Sequence, residues 1–335
     1  MPSFIEVKDV SKTFKVSKRA KGVSGMIANL FAPKFEMRRA VKEISFSIEQ
    51  GEMVGFIGPN GAGKSTTIKM LAGILYPESG EIKVDGFVPY KQRKDYVGEI
   101  GVVFGQKSQL QWDLPVIDSF ELLKAIYRVP DDRYKKNLDR FISMLDMSTF
   151  LNQPVRQLSL GQRMRADIVA ALLHSPKVVF FDEPTIGVDV VGKEAIRNFI
   201  RELNETDHVT MIFTTHDMQD IEKTCKRLII IDKGEKVYDG ALLGIRERYG
   251  TTRQLDVEFD SRVDVAPIEN VDIKQLDELD GRKQRFTFEN KNVQINELMN
   301  HLLTNYSVRD LNISEPEIES IIRKIYTGEE SAAVS

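Results

Sequence analysis

One segment of the sequence has the residue types and spacing of a phosphate-binding loop. It matches the pattern G-x-x-x-x-G-K-[ST] and lies between a strand-like run, residues 53–57, and a helical run, residues 66–72. Glycines let consecutive backbone N–H groups face one anion, and the helix N-terminus adds a partial positive charge. The pattern predicts a triphosphate site formed by Gly58, Pro59, Asn60, Gly61, Ala62, Gly63, Lys64, Ser65 and Thr66.

A metal and a reacting water have candidate partners in the same pattern. Lys64 would place a charge on the β and γ phosphates, and the Ser65 hydroxyl would ligate Mg²⁺. A second group of acids, Asp182 and Glu183, follows the apolar run 178–181. At the carboxyl end of a buried strand, Asp182 would hold Mg²⁺ through water, and Glu183 would orient or deprotonate the attacking water. Without the loop, an apolar strand ending in two acids would indicate only a surface turn.

Composition limits the classes of protein that the chain can belong to. The 335 residues suit a nucleotide-binding domain with a smaller second domain, and 47 basic against 50 acidic residues leave a net charge of -3. No nucleic-acid partner is expected from this balance. Cys225 is the single cysteine, which excludes an internal disulfide and fits a reducing cytosol. No run approaches the roughly 20 apolar residues of a membrane-spanning helix, so a membrane role would require a partner.

The elements around these residues indicate a layered α/β fold. Five short apolar runs alternate with longer helical patterns, which favours a parallel sheet: 4–10, 53–57, 178–181, 211–213 and 228–231. Residues 44–48 and 81–84 suggest an antiparallel portion beside it.

Helical patterns at 119–128 and 131–145 predict a helical subdomain, about 107–160, inserted in a nucleotide-binding domain that spans 1–245. After a break near residue 250, strand-like runs at 255–259 and 284–288 and helical runs at 293–303 and 315–325 predict a small α+β domain, 250–335.

A basic segment, residues 15–39, interrupts the first strands. It contains Lys15, Lys18, Arg19, Lys21, Lys34, Arg38 and Arg39 around an apolar group of Met26, Ile27, Leu30 and Phe31. Two interpretations remain: a solvated loop with one packed turn, or an amphipathic element that touches lipid or a membrane subunit.

The sequence Leu158-Ser159-Leu160-Gly161-Gln162 resembles the signature motif of ATP-binding cassette (ABC) proteins, with Leu160 where the family usually has glycine. The resemblance covers residues 1 to about 245 and implies the ABC type of P-loop fold, ATP and Mg²⁺ as ligands, and ATP hydrolysis. It also implies that Ser159, Gly161 and Gln162 cover the phosphates held by a second copy of the chain or by a homologous cassette. The alternative is a plain helix N-cap at Ser159, and we expect both roles together.

Further positions line up with the family pattern. Gln106 resembles the Q-loop residue that reaches the metal and water, His216 the switch histidine at the γ-phosphate, and Asp189 the residue that communicates across the dimer. Phe14 matches the aromatic residue that stacks on adenine, although a core phenylalanine is the alternative.

Within the family, the loop region and the small second domain resemble the ATPase subunit of ABC-2-type exporters. The resemblance implies a peripheral protein on the cytoplasmic face of the plasma membrane, with integral membrane permease subunits as partners. Trp112, Leu114 and Phe120 are candidate docking contacts, with packing inside the subdomain as the alternative. Other functions kept open are an importer ATPase, a soluble ABC ATPase acting on ribosomes or nucleic acid, and a regulatory module that binds ATP without turnover.

Overall fold

A computed structural model of the chain describes residues 3–17, 35–105, 107–249, 252–276, 280–289, 291–314 and 318–327. The chain divides into two compact units, Met1–Gly240 and Ala241–Ser335. The division falls a few residues before the 245–250 boundary expected from the sequence, so the helix Leu242–Tyr249 belongs to the second unit. The nucleotide-binding and accessory roles of the two units stay predictions.

The strands of the first unit are β1 (Ile5–Ser17), β2 (Phe35–Ile48), β3 (Met53–Ile57), β4 (Ser79–Val84), β5 (Ile100–Phe104), β6 (Val178–Asp182), β7 (Thr210–Thr214), β8 (Arg227–Asp232) and β9 (Glu235–Ala241). Its helices are α1 (Lys64–Leu71), α2 (Arg93–Tyr96), α3 (Val116–Tyr127), α4 (Asp131–Met144), α5 (Leu160–Leu172), α6 (Val190–Asp207) and α7 (Met218–Thr224).

The central sheet has the strand order β5-β6-β7-β3-β8-β9, and its first five strands are parallel. Every residue of β3 and β7 is buried, because both faces of such a sheet are covered and favour apolar runs. The register aligns Phe104, Asp182 and Thr214 at the carboxyl ends of β5, β6 and β7. This edge therefore gathers the residues that the sequence placed after strands.

The antiparallel portion forms a separate three-stranded sheet, β2-β1-β4, in which Ile5 pairs with both Ile48 and Val84. The β1–β2 hairpin is longer than the apolar runs that predicted it and continues to the pair Ser17 and Phe35. The apolar group at Met26, Ile27, Leu30 and Phe31 lies outside the described residues, so both interpretations of the basic segment stay open.

The helices α3 and α4 form the predicted helical layer. Each begins directly after a proline, Pro115 or Pro130, a residue that is tolerated where a helix starts. Phe120 is fully buried, so its prediction as a docking contact is wrong, whereas Trp112 and Leu114 are 54% and 40% exposed. Packing, the alternative, therefore applies to Phe120.

The second unit begins with α8 (Leu242–Tyr249) and contains a four-stranded antiparallel sheet of order β11-β12-β10-β13. Its remaining elements are β10 (Thr252–Phe259), β11 (Val271–Gln275), β12 (Lys283–Glu289), α9 (Ile295–Asn305), β13 (Val308–Ser314) and α10 (Ile318–Thr327). Its core joins side chains of β10 and β12 to Leu298 and Leu302 of α9. The sequence missed β11, a short strand with only two half-buried apolar residues, and β13, whose burial does not alternate.

Candidate active site

The glycine-rich loop connects β3 to α1 and lies in close contact with two other strands. A Cβ atom on Gly58 would lie 2.2 Å from the Ile231 carbonyl oxygen, which belongs to β8. Gly63, the N-cap of α1, has φ of +112°, and a Cβ atom added to it would lie 2.5 Å from the Ala40 carbonyl oxygen of β2. Both positions require glycine, because a side chain would collide with backbone.

Lys64 is 6% exposed, and its Nζ donates hydrogen bonds to the carbonyl oxygens of Gly58 and Pro59. Burial lowers the pKa of Lys64, while the negative charges of Glu183 and Asp182 act in the opposite direction. The loop thus encloses a cation that its own carbonyl groups hold in place.

Oxygen atoms suited to a magnesium ion converge beside the loop. The Ser65 hydroxyl lies 3.3 Å from Asp182 Oδ1, and the Thr214 hydroxyl donates to the same oxygen at 2.8 Å. Mg²⁺ prefers oxygen ligands and is commonly held by one or two side chains together with phosphate oxygens and waters. Ser65 and Asp182 fit that requirement, and Thr214 fixes the carboxylate that would serve it.

Glu183 and His216 form a contact at the same edge of the sheet, with 2.6 Å between His216 Nε2 and Glu183 Oε1. Glu183 has φ of +59°, a left-handed conformation that is uncommon outside glycine. Its backbone N–H donates to the Thr214 carbonyl at 3.0 Å, which holds the residue in this conformation. Residues kept in such conformations by their surroundings are concentrated at functional sites.

A buried charged pair fixes the loops that carry Glu183 and His216. Asp220 is fully buried and accepts hydrogen bonds from Arg197 Nε at 2.6 Å, from the Thr185 hydroxyl at 2.5 Å and from the Thr215 hydroxyl at 3.0 Å. Thr185 follows Glu183 by two residues, and Thr215 precedes His216. Sequence reasoning missed this network, and one acidic residue on a short helix gives no signal of it.

A cavity of about 360 Å³ lies beside the glycine-rich loop, and Asp182 and His216 are not among the residues that line it. It is lined by the loop residues Asn60, Gly61, Gly63, Lys64, Ser65 and Thr66, by Glu183, and by Phe14, Val16, Arg38 and Ala40 from the β1–β2 hairpin. Phe14 is half-buried in the cavity wall, not part of the core. Its position leaves one face of the site apolar, while the loop supplies the opposite, polar end.

The signature residues lie apart from the residues that line this cavity. Ser159 is the N-cap of α5 and forms a capping box with Gln162: Gln162 N donates to Ser159 Oγ at 3.2 Å, and Ser159 N donates to Gln162 Oε1 at 2.9 Å. Ser159 is exposed and Gly161 is half-buried. The helix start therefore presents N–H groups toward solvent, outside the cavity.

Leu160 fits against a glycine in the segment after Glu183. A Cβ atom on Gly187 would lie 2.2 Å from Leu160 Cδ2, so the absent side chain at 187 makes room for the leucine. Two residues later Asp189 caps α6, accepting from Gly192 N at 2.7 Å. Gln106 lies outside the described residues, although its neighbour Gly105 follows β5 at this edge.

Comparisons with known proteins agree with this geometry. The family model described as ABC transporter matches residues 41–186. The ABC transporter ATP-binding protein NatA of Bacillus subtilis strain 168 is 34% identical over 68% of this chain and 92% of its own length. The chain belongs to the ABC transporter family. As an ABC cassette it binds ATP with Mg²⁺ and hydrolyses it.

Two further proteins are similar to this chain. The linearmycin resistance ATP-binding protein LnrL of the same organism is 35% identical over 63% of this chain and 67% of its own length. A solved structure, the dimeric post-hydrolysis state of the ATP-binding cassette MJ0796 bound to ADP and Pi, is 28% identical with a TM-score of 0.60, covering 71% of this chain and 98% of that one.

Proposed function

We propose that two copies of this chain, or one copy and a homologous cassette, enclose two Mg-ATP between them and drive export through integral membrane subunits. The observation that carries the proposal is the separation of two phosphate-binding surfaces. Lys64, Glu183 and the glycine-rich loop line one cavity, whereas Ser159 caps an exposed helix start that lies apart from it. A second chain brings the two surfaces onto one nucleotide.

In this proposal each predicted site residue has one task. Lys64 binds the β and γ phosphates, and Ser65 and Asp182 hold Mg²⁺, which neutralises phosphate charge. Glu183 accepts a proton from the attacking water, and His216, in contact with Glu183, orients that water and the γ-phosphate. Gln106 reaches the metal and links the core to the helical layer, and Phe14 stacks on adenine.

Exposed residues beside the signature support a second cassette as the partner in this arrangement. Val190 and Val191 are each 81% exposed directly after Asp189, next to the segment that contacts Leu160. An exposed apolar pair of this kind is expected at an interface. The related cassette MJ0796 has been solved as a dimer, which supports Ser159, Gly161, Gln162 and Asp189 acting across the two chains.

The membrane partner would dock on the helical layer beside the Q-loop segment. A cavity of about 320 Å³ there is lined by Lys107, Leu110, Trp112, Arg163 and Asp167, among others, with the Arg163 guanidinium 5.5 Å from the centre of the Trp112 ring. None of the described helices is both long enough and apolar enough to cross a membrane. The resemblance to the ATPase subunits of ABC-2-type exporters supports a place on the cytoplasmic face, held by permease subunits.

The proposal also specifies the direction of transport. The resemblance to the ATPase subunits of ABC-2-type exporters supports export, and so does the similarity to a protein named for antibiotic resistance. Docking and direction have a common test, because the membrane subunits that co-purify with the chain identify the complex.

The experiment purifies tagged chain from detergent-solubilised membranes of its own host. A permease without a substrate-binding protein is expected with native chain and with the matched control Leu303→Ala, whose side chain is 51% exposed on α9, outside the helical layer. The same permease should be lost with Trp112→Ala at an unchanged melting temperature. Retention by Trp112→Ala would contradict the docking site, a substrate-binding protein in the complex would indicate an importer, and ribosomes would indicate the soluble class.

A further inference from the structure

We propose that Arg38 is a phosphate-binding residue of the nucleotide site, supplied by the β1–β2 hairpin. Arg38 lines the same cavity as the glycine-rich loop and pairs in register with Phe14. Its guanidinium lies over the loop, since a Cβ atom on Gly61 would be 3.0 Å from Arg38 Nη2. The proposal rests on the nucleotide occupying this cavity as described above.

The path of β2 places the Arg38 side chain beside the glycine-rich loop. The Ala40 carbonyl oxygen touches Gly63, so the strand crosses the loop at backbone contact distance. Arg38 pairs directly with Phe14, and directly opposed residues of an antiparallel pair lie on the same face, so Arg38 faces the cavity with Phe14 while its neighbour Arg39 lies on the opposite face. In agreement, Arg38 and Ala40 line the cavity and Arg39 does not.

Arg38 has no ion-pair partner in the part of the chain that the structure describes, although Glu183 lines the same cavity. No carboxylate among the described residues forms an ion pair with Arg38, and the sequence of residues 18–34 contains neither Asp nor Glu. A guanidinium presents a planar fork of donors that matches phosphate oxygens. The nucleotide is therefore the anion that this group fits best.

The location also selects which part of the nucleotide Arg38 contacts. Phe14, its partner across the strands, is the surface for the base, and Gly61 belongs to the loop that wraps the phosphates. Arg38 shares the cavity with both of them and with Lys64, whose ammonium group is held by the loop carbonyls. The two cations would share the charge of the phosphate chain.

The test measures the Kd of MgATP and MgADP for the full chain and for Arg38→Ala, Arg38→Gln and Arg38→Lys, with Arg39→Ala as the matched control. A charge-assisted contact predicts that Arg38→Ala and Arg38→Gln weaken MgATP by about tenfold. Arg38→Lys should lie between them and the native chain, and Arg39→Ala should bind like the native chain. The loss at Arg38 should shrink in high salt.

Equal affinities of Arg38→Ala and Arg39→Ala would overturn the proposal, and so would native affinity in Arg38→Gln, which lacks the charge. A Lys64→Ala chain measured in parallel separates this failure from failure of the whole site. If Lys64→Ala loses affinity while Arg38→Ala does not, the nucleotide occupies the cavity without Arg38. If neither variant differs from the native chain, the nucleotide site itself is misplaced.

Discussion

Glu183→Gln separates nucleotide binding from hydrolysis. Glutamine has the same shape, so the backbone bond from residue 183 to the Thr214 carbonyl and the left-handed conformation are both retained. His216 Nε2, which lies 2.6 Å from Glu183 Oε1, still has a hydrogen-bond partner in the amide. The change removes one negative charge and one proton acceptor.

The size of the effect follows from that loss. A positioned general base contributes roughly 10² to 10⁴ in rate, so the barrier should rise by about 3–5 kcal/mol. Removing a negative charge from the cavity wall also removes its repulsion of the phosphates, so MgATP should bind at least as tightly as in the native chain. The variant should therefore accumulate as an ATP-bound dimer.

The assay compares phosphate release, MgATP affinity and molecular mass by light scattering. Glu235→Gln is the matched control, because Glu235 is an exposed acid paired with Lys42 at 2.9 Å, outside the residues that line the cavity. Native hydrolysis by Glu183→Gln would remove Glu183 from the base role. Loss of MgATP affinity would show that the glutamate serves binding instead of the reaction.

Three further predictions concern buried groups. Lys64→Ala should raise the Kd of MgATP roughly ten- to a hundredfold, because charge-assisted hydrogen bonds to phosphate are lost. An unaltered affinity in calorimetry would contradict phosphate binding by Lys64. Burial raises the pKa of Asp167 from its ordinary 3.8 to about 6. Its contribution to the free energy of unfolding is therefore fully present below pH 3.8 and is lost as the pH rises through 6. The unfolding free energy of Asp167→Asn, relative to the native chain, should accordingly rise by about 3 kcal/mol between pH 4 and pH 8 in denaturant titrations, and a difference independent of pH would refute the assignment. Cys225 is 4% exposed and burial raises its thiol pKa to about 12, so a maleimide should label the native chain at pH 8 only after denaturant is added; rapid labelling in buffer would contradict its burial.

The parts of the fold that depend on local pattern were predictable from the sequence. The glycine-rich loop lies between β3 and α1, and Asp182 ends β6, as the sequence predicted. Both predictions were possible because short apolar runs followed by glycine or by acidic residues indicate the ends of strands in α/β proteins. The antiparallel character of residues 44–48 and 81–84 was also indicated by Gly and Pro punctuation in the sequence. Their pairing with β1, whose apolar run 4–10 was grouped with the core runs, and the separation of the three strands into a sheet of their own were not predicted.

The parts that depend on contacts between distant segments were not predictable. Asp220 holds Thr185 across 35 positions, and neither residue type marks the pairing. Leu160 departs from the usual signature, and its side chain packs against Gly187. This contact joins two segments that are distant in the sequence, so only the structure shows it. The roles of Gln106, Asp189 and Phe14, which came from family resemblance, stay predictions.

The central claim is that one nucleotide is held by two chains, and a cross-link between one introduced cysteine in each chain tests it most directly. Asn60→Cys in one batch and Ser159→Cys in the other are mixed, both carrying Glu183→Gln, with a short bis-maleimide that the buried Cys225 cannot reach. The account predicts a covalent dimer that forms with MgATP and not without nucleotide. Absence of that dimer under conditions where the chains bind MgATP would show that the signature residues do not meet the phosphates of a second chain.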